Sequence, residues 1–407
     1  MATTTIASPP VQPSRPTLAG AIAGRVAQAR PRDVVLVAAL GLAGLWLTFL
    51  AHYHGHVVDF SIFGQELAGL VGPPSDAHPI VGQGYDGQFF WRLGNDPLLL
   101  DPQTLHMLAG DQAYRAQRIF YPALAWLLGG GQGAALPYTL QLVAWGAVLG
   151  LVGLMATVAQ AHGRSAWWGL CLGVLPGMYL GAARGLADPL ATTMMIGAFV
   201  ALDRRRYGWA AAATVAAVLT RETMIVLPLA IVACGAASFA GLPQRLRPER
   251  PALGAWMVAA AGIVVYGAWQ AYASIRLGVT PARSTPDGQF SGMFAFVPQQ
   301  LEVTGRDVGA GGRFVLLAVA NPVYLAAMAG AAAVAVFALS RRIGVPELCA
   351  AGFALVAVTQ SYGDHWSYTR ASAPLFAALA YIALTRGYQR TLIMIACGVV
   401  LVPLYPA

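Results

Sequence analysis

Apolar residues run in long blocks along this chain, and polar residues gather in the gaps between them. Blocks near 33–51, 138–160, 166–183, 187–202, 208–221, 222–240, 253–274, 322–340, 347–360, 371–385 and 391–405 carry few or no charges. A bilayer core takes about twenty apolar residues of helix, or somewhat fewer where a block adjoins a loop. The pattern predicts an all-α, polytopic membrane bundle with eleven crossings. A further block, Ile119 to Leu128, is short and runs into Gly129, Gly130 and Gly131; a short crossing, a re-entrant hairpin and an interfacial helix all fit it.

Composition agrees with the pattern. Of 407 residues, 57% are hydrophobic and 10% charged, whereas soluble domains carry about a quarter charged residues. A secreted domain, a cytosolic enzyme and a disordered chain are thereby excluded. Cys171, Cys234, Cys349 and Cys397 each sit inside an apolar block without CxxC spacing, so neither a disulfide framework nor a zinc site is indicated. Residues 1–32 are rich in Pro, Thr, Ala and Ser and read as a disordered cytoplasmic tail ahead of one transmembrane domain, 33–407. They do not read as a cleaved signal peptide, because the first apolar run starts near Val34 and continues for a full span.

Every basic residue is arginine, 25 against 17 Asp plus Glu, for a net charge of +8. These arginines are not a nucleic-acid signature. Arg30 and Arg32, Arg204 to Arg206, Arg245, Arg247 and Arg250, Arg341 and Arg342, and Arg386 with Arg390 all flank apolar blocks in short loops. Cytoplasmic loops carry that excess. Eleven crossings with a cytoplasmic N-terminus put every one of these clusters on the cytoplasmic side; counting 119–128 as a twelfth moves Arg204 to Arg206 outside. The lack of lysine beside abundant Ala, Gly and Pro suggests a GC-rich bacterial genome, hence a bacterial inner membrane. The opposite, periplasmic face then collects the long loops 52–118 and 275–321 with 184–188, the Arg221/Glu222 break and 361–370. Charges gathered at membrane level on one face mark a cavity or a paired network.

The first long loop is the most informative. Tyr85, Phe89, Phe90 and Trp91 are expected to anchor a short helix at the membrane interface, holding Asp86 beside the cavity. Partial desolvation would raise the Asp86 pKa toward working pH and suit it to act as a general base. As an alternative, Asp86 simply caps that helix, with Gly87 as a turn residue. Arg115 and Arg118, three apart, would share a helical face and offer planar forks to a phosphate, or else snorkel to the interface without a ligand. Arg184 and Asp188, four apart, fit a local ion pair. Arg221 and Glu222 interrupt an apolar run from Trp209 to Phe239; the break marks a turn between two crossings and makes Arg221 a second candidate phosphate ligand. His365 and Arg370, in a polar and aromatic loop, are candidates for sugar or acceptor binding, with an ordinary aromatic belt as the alternative. His52, His54 and His56 alternate near Asp59 but lack an evident fourth ligand, so they read as interfacial histidines; no cofactor motif is present, and divalent-metal dependence is left open. The echo of Asp86-Gly87-Gln88-Phe89 at Asp287-Gly288-Gln289-Phe290 is within reach of chance.

Tyr85-Asp86-Gly87-Gln88-Phe89-Phe90, followed by Tyr114-Arg115-Ala116-Gln117-Arg118-Ile119-Phe120-Tyr121-Pro122, resembles the GT-C class of integral-membrane glycosyltransferases. Within that class it is most similar to bacterial relatives of the GPI-type mannosyltransferases. The resemblance extends to Arg184-Gly185-Leu186-Ala187-Asp188-Pro189 and Leu219-Thr220-Arg221-Glu222-Thr223, and covers roughly 33–240 as a pattern. It implies an acid in the first outer loop that activates the acceptor, and a polyprenyl-phosphate-linked monosaccharide as donor. Asp86 is the matching position; Asp59, close behind the first span, is the second candidate. The expectation is an inverting transferase acting on a glycan, glycolipid or protein acceptor. Arg118, Arg115, Arg221 and Arg184 would receive the leaving phosphate, and Tyr85, Gln88, Asp188, Glu222, His365 and Arg370 would contact substrate. A carrier or flippase for a lipid-linked or anionic solute, and a non-enzymatic envelope scaffold, are the readings from other classes.

Overall fold

In a computed structural model, the chain is described over residues 29–248, 250–284, 314–360 and 367–387, with a few positions between 293 and 302. The block 391–405, the repeat-like Asp287–Phe290, His365 and most of the tail lie outside the described residues. The described part is helical, with isolated extended bridges that include Phe63 with Gly84 and Gly64 with Ile80.

We number the principal helices α1 (Pro31–His52), α2 (Gly87–Asn95), α3 (Phe120–Leu128), α4 (Leu136–Ala161), α5 (Pro176–Ala183), α6 (Asp188–Asp203), α7 (Tyr207–Thr220), α8 (Val226–Phe239), α9 (Leu253–Leu277), α10 (Phe314–Arg341), α11 (Val345–Thr359) and α12 (Ser367–Arg386). Among the described residues, five stretches are long and apolar enough to cross a membrane: Pro31–His52, Gly133–Ala161, Glu222–Phe239, Leu253–Leu277 and Pro322–Arg341. A sixth, Ala166–Gly173 with Pro176–Ala183, is bent by 55°; Pro176 starts its second arm, where a missing N–H costs nothing. The sequence-predicted crossings at 208–221 and 347–360 are helices of 14 and 15 residues, about 21–23 Å long and short of the ~30 Å core. At nine residues α3 is shorter still. It rises only about 14 Å, which fits the re-entrant and interfacial readings of 119–128 better than a crossing.

Burial sorts the helices into a wall and a centre. On α1 only Val34, Ala38 and Phe49 are buried, while Leu36, Leu40 and Leu47 are bare. The same holds for α9, which exposes Leu253, Met257, Val264 and Ile275. Exposed apolar helix faces on this scale are lipid-facing surfaces. At the centre, every residue of α12 from Ala371 to Leu384 is buried, and α12 packs on α5, α6, α10 and α11. Its alanines permit this: Gly177 of α5 comes so close that a Cβ there would sit 2.2 Å from the Thr369 carbonyl oxygen.

The first loop is folded inward. Gly87 to Gly94 are all buried, and the ring of Phe90 packs edge-on to Tyr121 at 5.3 Å while Trp91 packs edge-on to Phe63 at 5.6 Å. The expected interfacial anchor is therefore corrected: these aromatics have protein partners, and α2 belongs to the core rather than to the headgroup layer. Gly87 permits the approach, since any Cβ would meet the Arg184 and Ser61 carbonyl oxygens at 2.6 and 2.8 Å.

Candidate functional site

Asp86 precedes α2 at the N-cap position, yet its side chain makes no capping bond. Its carboxylate faces arginines instead. Arg115 donates from Nη2 and Nε to Asp86 Oδ1 at 3.1 and 3.3 Å, Arg118 donates from Nη1 to Oδ2 at 3.3 Å, and Arg370 Nη1 stands 3.7 Å from Oδ2. The capping alternative is thus replaced by an ion cluster.

Arg118 has a second and tighter partner. Its Nε and Nη2 donate to the two oxygens of Glu222 at 2.8 and 2.7 Å, a parallel fork between planar groups. Glu222 reaches it because the chain breaks between α7 and α8: Arg221 is extended and Glu222–Ile225 forms a single 3₁₀ turn. The predicted turn at this point is what the chain adopts. Arg221, pointing the other way, pairs with Asp188 at the start of α6, and Arg370 Nη1 lies 3.9 Å from the other Asp188 oxygen. Sequence spacing suggested Arg184 as the partner of Asp188; the arginines that pair with it, Arg221 and Arg370, come from far along the chain. Arg184 follows α5 and lies with Arg370 against the ring of Tyr85, their guanidinium carbons 4.8 and 5.2 Å from its centroid.

Among the described residues, four arginines, Arg115, Arg118, Arg221 and Arg370, thus meet three carboxylates, Asp86, Asp188 and Glu222, and Arg184 adjoins the group through the Tyr85 ring. All eight side chains come from segments that the topology argument had assigned to one face. Phe89 and Tyr114 floor the cluster, each stacked against Arg115, at 3.9 and 4.6 Å. From the sequence Phe89 reads as an interfacial anchor and Tyr114 only as the start of the second motif, and neither as part of the charged site. Gln117, also missed, accepts from Tyr266 Oη at 2.6 Å and Gln270 Nε2 at 2.9 Å and so clamps the loop to α9. No sequence signal marks that role.

Two predicted site residues stand apart from the cluster. Gln88 is fully buried, with Nε2 donating to the Gln83 carbonyl at 2.6 Å and Oε1 accepting from Gly64 N–H at 3.2 Å. Its amide holds the loop's shape. Asp59 accepts from the His78 backbone N–H at 2.8 Å and lies 2.9 Å from His78 Nδ1, in a contact of its own. No group of three or more His, Cys, Asp or Glu side chains among the described residues is arranged to hold a metal ion.

The charge of Asp86 departs from expectation. Burial by itself would raise its pKa, but Arg115, Arg118 and Arg370 together outweigh that and hold the carboxyl well below the ordinary carboxylate range. Magnitudes explain the sign: desolvating a carboxylate costs several kcal/mol, and each of three cations within 4 Å returns about 4 kcal/mol at an effective dielectric near 20. A depressed pKa stabilises the fold above the unfolded aspartate value of about 3.9, and that contribution is lost as pH falls from there through the folded value. Thermal unfolding in one detergent should thus be level from pH 7 to about pH 5 and fall steeply below about pH 4, less so in Asp86→Asn. Equal pH slopes for the two proteins would show that the arginines do not hold this carboxylate.

On the surface between α1 and α4 lies a cavity of about 420 Å³ with walls that include Leu42, Trp46, Leu142 and Trp145. Its polar end is Gln141, whose Nε2 would lie 3.6 Å from a Cβ on Gly185, the neighbour of Arg184. An apolar trough on the lipid-facing side thus ends near the arginine cluster. No protein-family model, curated protein or solved structure matches this chain.

Proposed function

We propose that this protein is an integral-membrane glycosyltransferase of GT-C type that moves a monosaccharide from a polyprenyl-phosphate carrier to an envelope glycan, glycolipid or protein. The observation that carries the reading is the convergence of Arg115, Arg118 and Arg370 on the carboxylate of Asp86, each within 3.7 Å of it. A polyprenyl-phosphate sugar is a phosphodiester with one negative charge, and the polyprenyl phosphate released from it is a monoester with up to two. Three guanidinium groups converging on one point stabilise the dianion that develops as the bond breaks more than the monoanion of the bound donor, which is the requirement for catalysis by electrostatic stabilisation.

The step is a single displacement with inversion. The acceptor hydroxyl oxygen bonds to the anomeric carbon, its proton passes to Asp86, and the bond from that carbon to the phosphate oxygen breaks toward Arg115, Arg118 and Arg370. Before donor binds, those arginines also make Asp86 a weak base. Donor phosphate shares their charge, so the Asp86 pKa rises when the acceptor needs its proton taken. The same groups thus couple leaving-group stabilisation to activation of the base. The trough beside α1 and α4 suits the isoprenoid chain. An eleven-crossing topology in a bacterial inner membrane, cluster facing the periplasm, completes the reading.

Mass spectrometry of lipid-linked and envelope glycans from cells lacking the protein tests it directly. One defined sugar should vanish and return with the wild-type chain. An unchanged glycan profile, joined to counterflow of a lipid-linked solute in proteoliposomes, would instead favour a carrier.

A further inference from the structure

The helices that bear Asp188 and Arg370 carry a second group of charges at their other ends. Asp203 closes α6, fifteen residues beyond Asp188, and Arg386 closes α12, sixteen beyond Arg370. At 1.5 Å per residue these points lie about 22–24 Å from the Asp86 cluster. There a cavity of about 520 Å³ opens between the ends of α6 and α12, the loop before α9 and the start of α11. Arg205, Arg250, Arg342 and Arg386 line it, together with Asp203.

Compensation within this group is partial. Asp203 accepts a hydrogen bond from the Tyr381 hydroxyl, and Arg386 Nε lies 3.3 Å from Glu347 Oε1. No carboxylate among the described residues is within ion-pair reach of Arg205, Arg250 or Arg342. Positive-inside charge ordinarily scatters over loops, where each guanidinium keeps its own water. Here four converge on one hollow, and its remaining wall is apolar, including Phe199, Ile231 and Val345. Ala252 and Ala255, also in the wall, adjoin Leu253 and Met257, which are 77% and 63% exposed on the lipid-facing side of α9. A ligand seated here meets guanidinium groups at one end and an apolar helix face at the other.

We propose that this cavity binds the phosphate headgroup of an anionic glycerophospholipid, with the acyl chains lying along α9. Basic pockets between spans on the cytoplasmic side bind such headgroups. The site is separate from the donor site and does not depend on the transferase reading.

Native mass spectrometry of the full chain released from vesicles of equal phosphatidylglycerol and phosphatidylcholine provides the test. Wild type and Asp86→Asn should both retain phosphatidylglycerol in preference to phosphatidylcholine. Arg250→Gln/Arg342→Gln, two exposed positions, should lose that preference by roughly tenfold or more, while Arg250→Lys/Arg342→Lys, which keeps the charge and controls for misfolding, should retain most of it. Undiminished preference in the Gln double variant overturns the proposal. So does displacement of the lipid by millimolar inorganic phosphate or a soluble sugar phosphate, which would assign the cavity to a soluble anion.

Discussion

Asp86→Asn is expected to abolish sugar transfer while binding polyprenyl phosphate more tightly than the wild-type protein. The two effects have one cause. In the wild type the carboxylate competes with phosphate for Arg115, Arg118 and Arg370, all within 3.7 Å of it. Replacing it with a neutral amide of the same shape frees those donors and makes the group more positive by one charge. Relief of about 1.4 kcal/mol would tighten binding tenfold. Loss of a positioned base costs about 10²–10⁴ in rate. Equilibrium binding of a fluorescent polyprenyl phosphate, beside a single-turnover transfer assay, separates the two quantities. Weaker phosphate binding, or turnover within a few-fold of wild type, would remove Asp86 from the role assigned to it.

Glu222→Gln should act chiefly on stability. Its fork holds the Arg118 side chain, which is only 10% exposed, and removing one partner of a pair buried to this degree costs about 3 kcal/mol. Arg118→Gln should also destabilise, but less, because it also relieves repulsion among the three guanidinium groups facing Asp86. The double variant should recover part of the loss, with a coupling energy of about 1–3 kcal/mol in the cycle, yet bind phosphate poorly because an arginine is gone. Unfolding midpoints of the four proteins in one detergent give the coupling. Should Glu222→Gln unfold like wild type but fail to transfer sugar, Glu222 rather than Asp86 would be the base.

How far the sequence anticipated this site depends on the distance over which each contact is made. Asp86, Arg115 and Arg118 share one loop, and their aromatic and basic neighbours mark them as a unit. The break at Arg221 and Glu222 was legible because two adjacent charges cannot both be accommodated inside an apolar run. Alternation of crossings placed Asp188, Glu222 and Arg370 on a common face, but no local pattern tells which acid meets which arginine: Arg370 lies 284 residues beyond Asp86. The Asp86 pKa was misjudged for that reason, since its sign is set by three cations, one of them from α12. Gln88 and the aromatics of α2 lie deeper than the sequence suggested for a related cause: a loop next to a membrane can fold into the bundle, and composition cannot distinguish a ring buried in protein from one resting in headgroups.

The two sides of the cluster are anchored unequally. Asp188 and Arg370 begin helices buried along most of their length, and α12 is locked by the contact at Gly177. Asp86, Arg115 and Arg118 instead ride on a segment of short helices and 3₁₀ turns fastened by side-chain bonds such as those of Gln88 and Gln117. Backbone amides on the first side should exchange with deuterium only when the whole bundle opens, and those on the second through smaller local openings. Any tightening around a bound phosphate then falls to one jaw closing on a fixed anvil, and it would be recorded as slowed exchange across 86–118 with none at 370–384.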